Sequence, residues 1–230
     1  YYYGKPLATL PRKFPCRVSI HFGAGLPAGS SASQIRQRVL ELSCDYFNDL
    51  KSGGRSLACH FITSARKNWR KRCMSDSTGK RLSYGQTLIG ALAFANEIDK
   101  LTRSQDKVGI LLPPSVGGAL ANLAVTLLGK VAVNLNYTTS EQVRLDAVNQ
   151  CNIKCIISSR SFIEKAGLTE TTQGLVFLED IAAKIKVPAK IGAYLKARFV
   201  PLFFLTIGRR RWGDDPATVI FSSGSTGRPK

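Results

Sequence analysis

Histidine is scarce in this chain, acidic residues are outnumbered by basic ones, and its cysteines are not paired in sequence. Only His21 and His60 occur in 230 residues, and the fifth residue after each is Leu26 and Ala65. No His-x4-Asp pair exists, so no carboxylate in that motif can orient either imidazole as a base, and both histidines are expected in packing or surface roles. The six cysteines (Cys16, Cys44, Cys59, Cys73, Cys151, Cys155) include no Cys-x-x-Cys. Cys151 and Cys155 have helical spacing but no histidine near them, so reduced structural thiols are expected rather than zinc. With no recognisable secretory signal, that points to a cytosolic compartment.

Uninterrupted apolar runs of spanning length are also missing. Residues 108–129 carry no charge, but Pro113-Pro114 divide them into a strand and a helix that Ser115 can cap. The run Phe199–Leu205 is too short to cross a bilayer yet unusual on a soluble surface.

Acids number 15 against 33 basic residues, a net charge of +18. Residues 1–72 carry 13 basic and 3 acidic side chains, residues 73–180 carry 10 of each, and residues 181–230 carry 10 and 2. The two basic flanks hold Arg66-Lys67-Asn68-Trp69-Arg70-Lys71-Arg72 and Arg209-Arg210-Arg211-Trp212. Cations beside an interfacial aromatic suit an anionic membrane surface as well as they suit phosphodiester. A nucleic-acid module accounts for the charge but leaves the neutral middle unexplained.

That middle is patterned as an α/β sheet builder. Val108–Leu112, Val131–Val133, Lys154–Ile157, Leu175–Leu178 and Thr218–Phe221 read as strands, the apolar-on-both-faces kind found in parallel sheets. Between them, Leu120, Leu123, Ala124, Leu127 and Leu128 share one side of a helix, and Ser140 opens another through Val143, Leu145 and Val148. Earlier, the turn Asp76–Gly79 leads into Lys80–Tyr84, then a helix with Leu88, Leu92, Ala95 and Ile98 on one face. At 44% hydrophobic residues, the chain could bury roughly 70% of its unfolded surface.

The strand ending at Phe221 opens into Ser222-Ser223-Gly224-Ser225-Thr226-Gly227-Arg228-Pro229-Lys230. Glycines permit close backbone approach, hydroxyls and amides surround an anion, and Lys230 adds a point charge. The spacing rejects a Walker A loop, because two residues rather than four separate the glycines from each other and Pro229 precedes the lysine. The segment resembles the adenylate-forming signature [Ser/Thr]-Ser-Gly-[Ser/Thr]-Thr-Gly-x-Pro-Lys. The resemblance implies that Ser222, Ser223, Gly224, Ser225, Thr226, Gly227 and Lys230 bind nucleotide phosphates, with ATP and Mg²⁺ as cofactors. Arg228 fills the variable position.

The first fifty residues read differently. Arg17–Phe22 is expected as a strand, Gly23–Pro27 as a turn, and Ser33 as the cap of a helix with Ile35, Val39, Leu42, Tyr46 and Leu50 facing inward. Lys51–Ser56 reads as a linker. The segment resembles the C-terminal end of a glycerolipid acyltransferase domain. Joined to segments 73–80, 111–118 and 133–137, it makes the whole similar to the bifunctional acyl-acyl-carrier-protein synthetase/2-acylglycerophosphoethanolamine acyltransferase family.

The expected fold class is therefore α/β: an acyltransferase remnant at 1–50, a linker at 51–56, and the N-terminal part of an acyl-CoA synthetase-like adenylate-forming domain at 57–230. The resemblance implies activation of a fatty acid, thioester formation on acyl carrier protein, and transfer to a lysophospholipid at the cytoplasmic face of the inner membrane. It places the remaining catalytic groups beyond residue 230, so no catalytic or metal residue is assigned here and the chain alone is expected to be inactive. A plain long-chain acyl-CoA synthetase shares the phosphate loop but not residues 1–50.

Overall fold

Ser31 closes the first turn of the first helix, α1 (Ala32–Ser52), accepting from the Gln34 amide while Gln34 Oε1 receives the Ser31 amide. The reciprocal pair is a capping box, so the cap is Ser31 and not Ser33. The computed structural model describes residues 20–52, 56–168, 174–206 and 215–221. The chain divides into two units, Tyr1–Ser52 and Gly53–Lys230.

In the first unit, residues 20–22 of the expected strand have no strand conformation, and 17–19 lie outside the described residues. No described strand pairs with them, which leaves no ladder for their backbone groups. The expected inward face of α1 is also not packed within this unit: Ile35 and Val39 are exposed, while Leu42 and Tyr46 are half-buried.

At the two ends of the expected linker, α1 runs to Ser52 and Ser56 caps α2 (Leu57–Lys67) by accepting from the Cys59 amide; residues 53–55 lie outside the described residues. Strands β1 (Arg72–Ser75) and β2 (Arg81–Ser83) form an antiparallel hairpin. Its turn needs the left-handed conformation at Gly79, where φ is +81°. Ser83 and Gln86 form a capping box that starts α3 (Tyr84–Leu101), and Leu88, Leu92, Ala95 and Ile98 are buried as the periodicity requires.

Then the alternation begins: β3 (Lys107–Ile110), α4 (Val116–Leu127), β4 (Val131–Asn134), α5 (Glu141–Gln150), β5 (Ile156–Ser158), α6 (Arg160–Ala166) and β6 (Leu175–Phe177). Next come α7 (Leu178–Lys184), α8 (Val187–Phe199), α9 (Leu202–Thr206) and β7 (Thr218–Ile220). Leu178 opens a helix rather than closing a strand, and Lys154 and Cys155 precede β5.

The five strands β6-β5-β3-β4-β7 form one sheet, and every pair is parallel. Alternate residues bury opposite faces. Val108, Ile110, Ala132 and Ile157 pack with α3, α4 and the buried Ile181 and Ala193, whereas Val133 and Ile156 pack with Ala147 and Ile163 of α5 and α6. Full burial of each such aliphatic side chain stabilises by about 1.5–3 kcal/mol.

Within the Arg66–Arg72 cluster, Lys67, Arg70, Lys71 and Arg72 are exposed, whereas Arg66 and Trp69 are built into the fold. Trp69 is half-buried, lies over Gly85 and meets Tyr194 edge-on at 6.2 Å between ring centroids. Arg66 is half-buried and donates from Nε to Ala197 O at 2.8 Å and from Nη2 to Val200 O, satisfying carbonyls at the end of α8. Burial lowers its pKa, and neighbouring Arg198 adds to the shift. The second cluster, Arg209–Trp212, lies outside the described residues. Among the described residues no helix is long and apolar enough to cross a membrane, and Cys59, Cys151 and Cys155 are free buried thiols. His21 and His60 are both exposed.

Candidate functional site

Asp76 sits in the hairpin turn and reaches across to the start of α4. Its Oδ1 accepts from the Thr78 amide at 3.0 Å and from the Thr78 hydroxyl, and its Oδ2 accepts from the Val116 amide at 2.9 Å. The Thr78 hydroxyl first, then the Val116 amide, hold its carboxyl below the ordinary range. Ser115 completes the cap by accepting from the Gly118 amide at 3.1 Å. Two first-turn amides of α4 are thereby satisfied inside the protein, and a carboxylate already faces the positive end of this helix.

The next turn of α4 carries Asn122. Its Nδ2 donates to Gly118 O and to Asn134 Oδ1, both at 3.1 Å, while Asn134 returns a bond to Asn122 Oδ1 at 3.1 Å. The second Asn134 hydrogen goes to Thr218 Oγ1 at 3.1 Å, and the Thr218 hydroxyl donates to Ala132 O at 2.8 Å. Three side chains and two carbonyls from α4, β4 and β7 thus form one hydrogen-bonded network. On the other flank of β3, fully buried Ser158 donates to Leu111 O at 2.7 Å and fixes the end of β5.

Asp76, Ser115, Asn122 and Asn134 line a cleft of about 540 Å³ outside the carboxyl ends of β3 and β4. The hairpin contributes Met74, Ser75 and Asp76; the loop after β3 contributes Leu112 to Ser115; Asn134 and Tyr137 close the far side. The crevice beyond the carboxyl ends of a parallel sheet is where α/β folds bind ligands, and this volume suits a small-molecule ligand. Gly118 keeps the loop close to its helix, since a Cβ there would stand 2.9 Å from Pro113 O.

Strand β7 runs to the same edge. It pairs with β4 in the register Ala132↔Thr218, Val133↔Val219 and Asn134↔Ile220, so the chain leaves the sheet beside Asn134. Ser222, Ser223, Gly224, Ser225, Thr226, Gly227 and Lys230 themselves lie outside the described residues.

Segments 73–80, 111–118 and 133–137 stand out in the sequence as carriers of the resemblance, with no binding role attached to their residues. The fold gathers all three around the cleft. Asp76, Asn122, Asn134 and Tyr137 were missed as site residues. Their only signal was membership of those segments, and Asn122 had not even that.

Compared with known families, residues 61–230 match the one described as "AMP-binding enzyme". Among solved structures, the N-terminal subdomain of NpsA from Klebsiella oxytoca superposes with a TM-score of 0.58 at 16% identity, covering 76% of this chain and 41% of that one. VinN in complex with 3-methylaspartate gives 0.57 at 16% identity, with 76% and 46% covered. The O-succinylbenzoate coenzyme A synthetase MenE from Bacillus subtilis, in complex with AMP, gives 0.55 at 18% identity, with 74% and 40% covered. The chain spans less than half the length of each of these structures.

Proposed function

The chain belongs to the AMP-binding enzyme family, and from that premise we propose that it is part of an ATP-dependent ligase that activates a fatty acid as its acyl-adenylate. The acyl group then passes to the thiol of an acyl carrier protein and onward to a lysophospholipid. The observation that carries the reading is the exit of β7 beside Asn134, at the edge where the cleft opens; in the chain, only Phe221 separates the strand from the Ser222–Lys230 sequence.

In the proposed reaction a fatty carboxylate oxygen attacks the α-phosphate of ATP, and the bond to the β-phosphate breaks to release pyrophosphate. The protein positions anionic oxygens and needs no nucleophile of its own. Ser222, Ser223, Gly224, Ser225, Thr226, Gly227 and Lys230 are the groups proposed to hold the outgoing phosphates. The donor set fits them, being hydroxyls, glycine backbone amides and a cation. Mg²⁺ would sit on the phosphates and offset their charge, as it commonly does with few protein ligands. Among the described residues no cluster of three His, Cys, Asp or Glu side chains could hold a metal.

The carrier protein and lysolipid rest on the resemblance of residues 1–50 to an acyltransferase end. The surplus of basic residues suits ATP, an acidic carrier and anionic lipid alike. Exchange of radiolabelled pyrophosphate into ATP by the intact parent protein is the test. It is expected to require fatty acid and not to proceed with amino acids; equal exchange with amino acids, or none with any fatty acid, would remove the assignment.

A further inference from the structure

Helix α8 is apolar on two sides, and only one of them is packed. Ala189, Ala193 and Ala197 recur every four residues on the side that meets the core; Ala193 and Ala197 are fully buried. Val187, Ile191, Leu195 and Phe199 recur at the same interval on another side and are 66%, 55%, 49% and 68% exposed. A helix of a soluble domain ordinarily does the reverse, burying its bulky aliphatic residues and exposing its small ones.

Along the chain segment that carries this stripe, charge has one sign. Lys190 and Lys196 border it on either side, and both are exposed. From residue 181 to residue 213 there is no Asp or Glu, against eight Lys and Arg. Arg66 anchors α8 to the body through the Ala197 and Val200 carbonyls, so the stripe is held on a fixed helix rather than on a loop.

We propose that the Val187–Phe199 face of α8 lies on an anionic lipid bilayer. Its four apolar side chains enter the boundary between headgroups and acyl chains, and Lys190 and Lys196 meet lipid phosphates. Thirteen residues make a helix of about 20 Å, enough to lie in the interface and too short to cross it. Charge complementarity favours this occupant over a second copy, which would set like-charged lysine rows against each other. The proposal deepens the lipid-linked part of the function above and rests on that reading for its biological sense. Its test is separate, because vesicle binding reads the helix face and pyrophosphate exchange reads the ligase.

The experiment is co-sedimentation of the 230-residue chain with phosphatidylcholine vesicles, with and without about 30% phosphatidylglycerol, at low and high salt. Binding is expected to need the anionic lipid and to persist in part at high salt. Ile191→Glu/Leu195→Glu should lower partitioning about tenfold or more, and Lys190→Ser/Lys196→Ser about fivefold per lysine, with unchanged far-ultraviolet circular dichroism. Should the glutamate pair fail to fold, Phe199→Ser serves in its place with the lysine pair. No vesicle binding by the wild type, or binding that neither pair alters, would overturn the proposal. So would a glutamate pair whose only effect is to abolish self-association or capture of an acidic protein.

Discussion

Asn122 and Asn134 exchange two amide hydrogen bonds, each 3.1 Å, and so join α4 to β4 at the wall of the cleft. Through its second hydrogen Asn134 also holds Thr218 on β7. One side chain therefore links the wall of the cleft to β7, in addition to the backbone pairing of β4 with β7.

Removing one member should cost more than its own bonds. Asn134→Ala leaves Asn122 and Thr218 short of a partner, and a loss of about 1–3 kcal/mol is expected from urea unfolding with an unchanged m-value. Asn122→Ala/Asn134→Ala should cost less than the sum of the two single changes, because the interaction is shared. Strict additivity would mean that the two amides do not interact.

Two glycines with positive φ should respond differently to alanine. Gly167 ends α6 with φ +59°, and a Cβ added there would meet nothing within 4 Å, so only the left-handed penalty of about 1–2 kcal/mol is expected. Gly174 has φ +84°, and a Cβ would stand 2.0 Å from Lys154 O, so the backbone beside β5 must move. Gly174→Ala should lower the melting temperature well beyond Gly167→Ala; equal effects would show that the approach of Gly174 to Lys154 is not tight.

The pH dependence of the hairpin-to-α4 contact follows from Asp76. Its folded pKa lies below the ordinary value of 3.8, so its stabilising contribution is complete above that value and disappears as the pH falls through the lower, folded one. Asp76→Asn should therefore melt below the wild type at neutral pH, and the difference should shrink once the pH drops beneath the ordinary value. A difference that is constant down to strong acid would contradict the charge-assisted cap.

Thiol reactivity should sort by burial. Cys151 and Cys155 are buried, and desolvation raises the Cys155 pKa despite the nearby Lys130, whereas Cys44 is exposed. Iodoacetamide mapping by mass spectrometry should label Cys44 in the native protein, and Cys151 and Cys155 only after unfolding.

What could be read from sequence was local. Ser115 and Ser140 announced their helices because a cap and the amides it serves are three residues apart, and both caps are present. The strands Val108–Ile110 and Val131–Val133 were evident because a parallel sheet buries both faces of each. Helix α8 was not, because its alanines face inward and its bulky residues outward, which blurs the single-face periodicity of an amphipathic helix. The cleft was hidden for another reason: Asp76 meets Val116 across 40 residues, and Asn134 meets Thr218 across 84. Arg66 and Trp69 were visible as a cation and an aromatic, but the carbonyls and the glycine they serve are set by the fold.

The proposal that the cleft and the Ser222–Lys230 segment form one nucleotide site is tested most directly by hydrogen–deuterium exchange with and without Mg·ATP. ATP is expected to slow exchange in peptides covering 133–137 and 218–230 and to leave 187–199 unchanged. Lys230→Ala should weaken the protection roughly ten- to hundredfold in ATP concentration, as loss of a charge-assisted contact of about 1.5–3 kcal/mol requires. Protection of 218–230 without 133–137, or no protection at saturating ATP, would contradict the account.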